Sequence, residues 1–149
     1  MAAAEKILVD SGPLVALLVR RDQHHGWAVQ QFERLAAPLL TCEAVLSETQ
    51  FLVHRFGGNP LVVLDMVARG AFNVAFQVED EIDRLQELQF TYRNLPMSLA
   101  DACLVRMSEL HSRCRVFTTD SDFRTYRRNG RQVIPTLLPD SNHKPQSNP

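Results

Sequence analysis

The chain has 149 residues, 45% hydrophobic and 22% charged, with a net charge of −1. That is enough for one domain with a real core and ordinary for a globular protein. Near-neutral charge gives no bulk signal for nucleic acid. No apolar run reaches the ~18 residues of a membrane span, and the N-terminus carries no secretory pattern, so a cytosolic, non-membrane protein is expected. The three cysteines, Cys42, Cys103 and Cys114, form no C-x-x-C pair. This argues against a disulfide framework and a structural zinc site.

The run Lys6-Ile7-Leu8-Val9 reads as a strand that ends abruptly at Asp10. Ser11 can cap the helix that follows, and Pro13 tolerates its first turn. An Asp at the carboxyl end of a first strand lies where open α/β sheets bind ligands. Taken alone, Asp10 is equally well a turn residue that caps the helix. Residues 20–26 read as a connection, and Trp27 to Leu35 as an amphipathic helix with Trp27, Phe32 and Leu35 inward. Pro38 to Thr41 is a short strand, with Thr41 able to cap the next helix.

That helix, from Glu43 to Phe56, ends at Gly57-Gly58. Glu43 suits the first turn, where a carboxylate complements the helix dipole. Glu48 falls between Val45 and Leu52 on an apolar stripe. Positions three and four away hold Ala44, Val45, Phe51 and Leu52, so no neighbour neutralises it. An unpaired buried carboxylate is costly, so a metal ion or a distant Arg is required.

Asn59-Pro60 restarts a helix to Arg69, closed by Gly70, and Phe72 to Phe76 alternates like a strand. The acidic run from Glu79 opens a helix to Tyr92 with Ile82, Leu85, Leu88 and Tyr92 at helical spacing; its acids read as a solvated face. Ser98 and Asp101 match a capping box, which explains Asp101 structurally yet still puts a carboxylate at a helix start. Arg115 to Thr118 is a strand, and Thr119-Asp120-Ser121-Asp122 follows. Asp120 or Ser121 can be a cap only; Asp-x-Asp at a strand end also aims two hard ligands at one magnesium or manganese ion. A helix through Arg128, a turn at Asn129-Gly130 and a last strand at Val133-Ile134 complete the predicted domain, residues 1–138. The polar residues 139–149 read as a disordered tail.

Alternating strands and helices mean βαβ crossovers and a parallel sheet covered on both faces. Asp10 and Asp120 then share one sheet edge, and the helix from Ser98 can bring Asp101 to it. Two like charges about 4 Å apart repel by roughly 4 kcal/mol at an effective dielectric of 20. Each acid has a separate structural explanation; their convergence calls for a divalent cation. Arg113, Arg115, Arg124, Arg127, Arg128 and Arg131 crowd a late segment, either as a phosphate-binding surface or as a solvated face.

Among folds with an Asp after the first strand, haloacid-dehalogenase-like phosphatases need a second Asp where this chain has Gly12. Response-regulator receivers need a late partner Lys, but the lysines are Lys6 and Lys144. The sequence resembles PIN-domain ribonucleases, especially VapC-like toxins. It does so through Leu8-Val9-Asp10-Ser11, Ala44-Val45-Leu46-Ser47-Glu48, Leu99-Ala100-Asp101-Ala102 and Thr118-Thr119-Asp120-Ser121-Asp122-Phe123. Four matches in order span residues 6–135; Gly12-Pro13 departs from the family's small-residue pair.

The resemblance implies a three-layer α/β/α fold with a mainly parallel five-stranded sheet. It implies Asp10, Glu48, Asp101 and Asp120 as catalytic acids holding one or two Mg2+ or Mn2+ ions, with Asp122 assisting. Ser11 and Thr118 would orient these ligands, and Arg124, Arg127 and Arg128 would hold the RNA backbone or be the surface that a bound antitoxin uses. The implied activity is hydrolysis of RNA phosphodiester bonds by a homodimeric toxin with a cognate antitoxin. The alternatives are a housekeeping RNA-processing nuclease without antitoxin and a non-catalytic module that binds RNA or protein. The intact acid set counts against the second. Structure-specific DNA cleavage lacks an added arch to thread a strand.

Overall fold

The computed structural model describes residues 4–140. The predicted tail therefore lies, from 141 onward, outside the described residues. The elements run β1 (Lys6–Val9), α1 (Ser11–Leu18), α2 (His25–Arg34), β2 (Leu39–Leu40), α3 (Glu43–Arg55), α4 (Leu61–Ala68), β3 (Phe72–Asn73) and α5 (Ile82–Thr91). There follow α6 (Leu99–Leu110), β4 (Cys114–Phe117), β5 (Arg127–Arg128), β6 (Gln132–Val133) and β7 (Thr136–Leu137). Five strands form one parallel sheet in the order β3-β2-β1-β4-β7, flanked by helices as a three-layer α/β/α fold requires. Among the described residues no helix is long and apolar enough to cross a membrane.

The centre of the sheet follows from its sequence. Ile7, Leu8 and Val9 are all buried, as a strand covered on both faces must be. β4 pairs with β1 from Lys6↔Cys114 to Val9↔Phe117, so both strands end at the same edge. Phe117 packs against Trp27 and Phe32, ring centroids 5.3 and 5.1 Å away, which puts the inward face of α2 where its amphipathic pattern places it. Helix α6 is apolar almost all round and is buried from Ala100 through Val105. The cysteines are free and buried.

Several local expectations are corrected. The cap of α1 is Asp10 rather than Ser11, because the Asp10 carboxylate accepts the Ser11 N–H. Cys42, not Thr41, occupies the N-cap of α3; Thr41 Oγ1 instead donates to the Val9 carbonyl at 3.0 Å, tying β2 to β1. β3 is only Phe72–Asn73.

The predicted helix from Asp120 through Arg128 is a 3-10 turn at Ser121–Arg124 followed by strand β5. β5 and β6 form an antiparallel hairpin around Asn129 and Gly130, whose φ values of 53° and 78° suit a tight hairpin turn. The fifth strand of the main sheet is therefore Thr136–Leu137, not Val133-Ile134. Tertiary contacts override local propensity here. Phe123 and Tyr126 are fully buried, and Glu109 of α6 accepts the Asn129 N–H at 2.6 Å.

Candidate active site

The end of β1 delivers Asp10 to the edge that β4 also reaches; the Asp10 N–H donates to the Phe117 carbonyl at 2.9 Å. Asp10 is 95% buried. Its Oδ1 accepts from the Ser11 N–H and its Oδ2 from the Thr118 hydroxyl, both at 2.7 Å. Thr118, itself wholly buried, accepts the Asp120 N–H at 3.0 Å. Asp120 Oδ1 in turn accepts the Asp122 N–H at 2.8 Å, capping the 3-10 turn. One threonine thus links the first and fourth predicted acids. Ser11 contributes through its backbone, since a residue at a helix start has its N–H free.

Asp101 arrives from a third direction. The capping box forms: Ser98 Oγ accepts the Asp101 N–H at 3.0 Å, and Asp101 Oδ2 accepts the Ser98 N–H at 3.3 Å. Asp101 Oδ2 also accepts the Tyr126 hydroxyl at 3.2 Å, while no hydrogen bond reaches Oδ1 among the described residues. The capping role of Asp101 thus occupies one of its two oxygens. Tyr126 was not visible from sequence; a buried phenol needs a partner, but only the fold says which.

Electrostatics show the convergence. Burial pushes the Asp10 carboxyl up to about 7, against the bonds from Thr118 and Ser11, and the charges of Asp101 and Glu48 push further in the same direction. Burial likewise raises Asp101 to about 6, opposed by Ser98 and Tyr126 and reinforced by Asp120 and Glu48. Burial and the Asp101 charge drive the Tyr126 phenol well above its ordinary 10, so it stays a donor. Glu48 is half-buried at the margin of the α3 stripe, and its field reaches both aspartates.

No Lys, Arg or His forms an ion pair with Asp10, Glu48, Asp101, Asp120 or Asp122 among the described residues. The Glu48 and Asp122 carboxylates likewise accept no hydrogen bond there. Among the described residues, no three His, Cys, Asp or Glu side chains are grouped closely enough to hold a metal ion. The chemistry of the donors nevertheless suits a hard divalent cation: carboxylate oxygens, several unbonded, with no ion pair to a protein cation among the described residues.

The late arginines divide. Arg124 is exposed beside Asp122. Arg127 donates through one nitrogen to the carbonyls of Arg124, Thr125 and Tyr126, and Arg128 to the carbonyl of Ser108.

Fold and site together define a class: a parallel α/β/α domain in which carboxylates from four separate segments feel one another's charge. A PIN-domain profile matches residues 7–129. The chain belongs to the PIN-domain family. Its fold is similar to the crystal structure of VapC20 from Mycobacterium tuberculosis, a toxin described as cleaving the sarcin-ricin loop. The TM-score is 0.73 at 21% identity, over 80% of this chain and 94% of that one. A search of curated proteins found no match.

Proposed function

We propose that this PIN-domain chain is a divalent-metal-dependent endoribonuclease and the toxin of a toxin–antitoxin pair. The observation that carries this reading is the mutual charge coupling of Asp10, Glu48, Asp101 and Asp120, with no ion pair to any of them among the described residues. Asp10, Glu48, Asp101 and Asp120 would hold one or two Mg2+ or Mn2+ ions, with Asp122 assisting. When bound, such an ion lowers the pKa of water to supply a nucleophile and neutralises charge developing on the phosphate.

The chain's own residues orient the site. Thr118 and the Ser11 N–H hold Asp10 at both oxygens, and Ser98 holds Asp101 at one. Arg124 faces the solvent beside Asp122 and would contact the RNA backbone. Arg127 and Arg128 first brace the hairpin; their outer guanidinium nitrogens would meet phosphate, whereas Arg128 Nε is buried. Likeness to a VapC toxin supports an RNA substrate and an inhibitory antitoxin as partners; a homodimer is part of the same reading.

The test is incubation of purified protein with end-labelled total RNA in Mn2+ or in EDTA. Discrete fragments that require the metal support the proposal. RNA binding without cleavage in any divalent ion would favour the non-catalytic module.

A further inference from the structure

Tyr126 lies 25 residues beyond Asp101 and belongs to none of the acid-bearing motifs, yet its hydroxyl ends on an acid of the site. Its side chain is fully buried. The ring is held edge-on by Tyr92, 5.1 Å away, and by Phe123, 5.3 Å away. These contacts use only the ring, and a phenylalanine would satisfy them. The hydroxyl does something else. It donates to Asp101 Oδ2, the same oxygen that accepts the Ser98 N–H, and leaves Oδ1 without a partner among the described residues. With both bonds on one oxygen, the carboxylate cannot rotate without breaking them. The same residue shapes the turn that carries the other acids: its backbone N–H donates to the Asp122 carbonyl at 3.1 Å. The next N–H, that of Arg127, donates to the Tyr92 hydroxyl at 2.8 Å.

From this geometry we infer that Tyr126 is a positioning residue: it clamps Asp101 Oδ2 so that Oδ1 is presented to the divalent ion, and it sets Asp101 against the Asp120–Asp122 turn. The inference rests on the metal-dependent reading of the site. Groups that orient a metal ligand typically change affinity or activity about 10- to 100-fold when removed.

The test is Tyr126→Phe, compared with wild type and Asp101→Asn by calorimetric titration with Mn2+, thermal unfolding of the metal-free proteins, and RNA cleavage kinetics. Tyr126→Phe is expected to keep its fold, weaken Mn2+ binding about tenfold and lower kcat while KM for RNA stays unchanged. Unchanged Mn2+ affinity, with or without a lower Tm, would overturn the role and leave Tyr126 as packing. A Tyr126→Phe protein that does not fold would assign the hydroxyl to stability and overturn it equally. If Asp101→Asn weakens Mn2+ binding and Tyr126→Phe does not, only the Tyr126 inference fails. If wild type binds no Mn2+, or Asp101→Asn binds it as wild type does, the metal reading fails and takes the inference with it.

Discussion

Replacing Asp10 by Asn should stabilise the metal-free protein at alkaline pH. The Asp10 carboxyl is raised from 3.8 to about 7 in the fold. Below 3.8 the group is protonated whether the chain is folded or not, and costs nothing. Between 3.8 and about 7 the folded state keeps a proton that the unfolded chain has released, so stability falls as pH rises. Above that window the ionised carboxylate costs about 4 kcal/mol, at ~1.4 kcal/mol per pH unit. An amide of the same shape keeps the acceptor for Ser11 N–H but presents N–H to Thr118, a mismatch of about 1–2 kcal/mol.

The net gain should be about 2 kcal/mol at pH 8, or roughly 5–8 °C in Tm, vanishing or reversing near pH 5. Thermal unfolding in EDTA across pH 4.5–8.5 measures it; Asp101, raised to about 6, adds to the pH dependence of both proteins. Saturating Mn2+ should reverse the order, because ligand at ~100 times its Kd adds about 2.7 kcal/mol to a protein that binds it. If wild-type stability does not fall between pH 5 and 8 relative to Asp10→Asn, Asp10 is not an uncompensated buried acid and the reasoning is wrong.

Asp101→Asn should abolish metal-dependent cleavage while costing only about 1 kcal/mol in urea unfolding, since an amide still serves the capping box. Intact turnover with reduced stability would leave Asp101 as a cap alone. Thr118→Val removes the donor to Asp10 and the acceptor of the Asp120 N–H, with an expected cost of about 1–3 kcal/mol and a 10- to 100-fold loss of Mn2+ affinity. Glu109, with a side chain only 2% exposed, pairs with Arg84 and Arg106 and accepts the Asn129 N–H. Glu109→Ala should cost about 3–5 kcal/mol by stranding that network, read by thermal unfolding. Gly12→Ala would press a methyl onto the Thr119 hydroxyl and shift the Thr118–Asp120 segment, at a cost of about 1–3 kcal/mol and a drop in cleavage rate.

What could be read from sequence was local. A short apolar run ending at Asp10, the unneutralised Glu48 and the Ser98–Asp101 box each carry their signal within a few residues. The alternation of elements then places strand ends on one edge. What stayed hidden depends on contacts distant in the chain. Residues 120–128 have helix-compatible composition, yet Phe123 and Tyr126 enter the core and Glu109 fixes the turn at Asn129, so a hairpin forms. The last strand shifts to Thr136–Leu137 for the same reason, because β6 is taken up by the hairpin. That Asp10 also receives the Thr118 hydroxyl across 108 residues is equally a property of the folded chain.

The most direct test of the account is a crystal structure of the protein with Mn2+, read by anomalous scattering. A peak is expected at the sheet edge, with oxygens of Asp10, Glu48, Asp101 and Asp120 either coordinating it at about 2.0–2.2 Å or hydrogen-bonded to a water that does. Strong peaks elsewhere and none among these carboxylates, in crystals grown at saturating Mn2+, would contradict it.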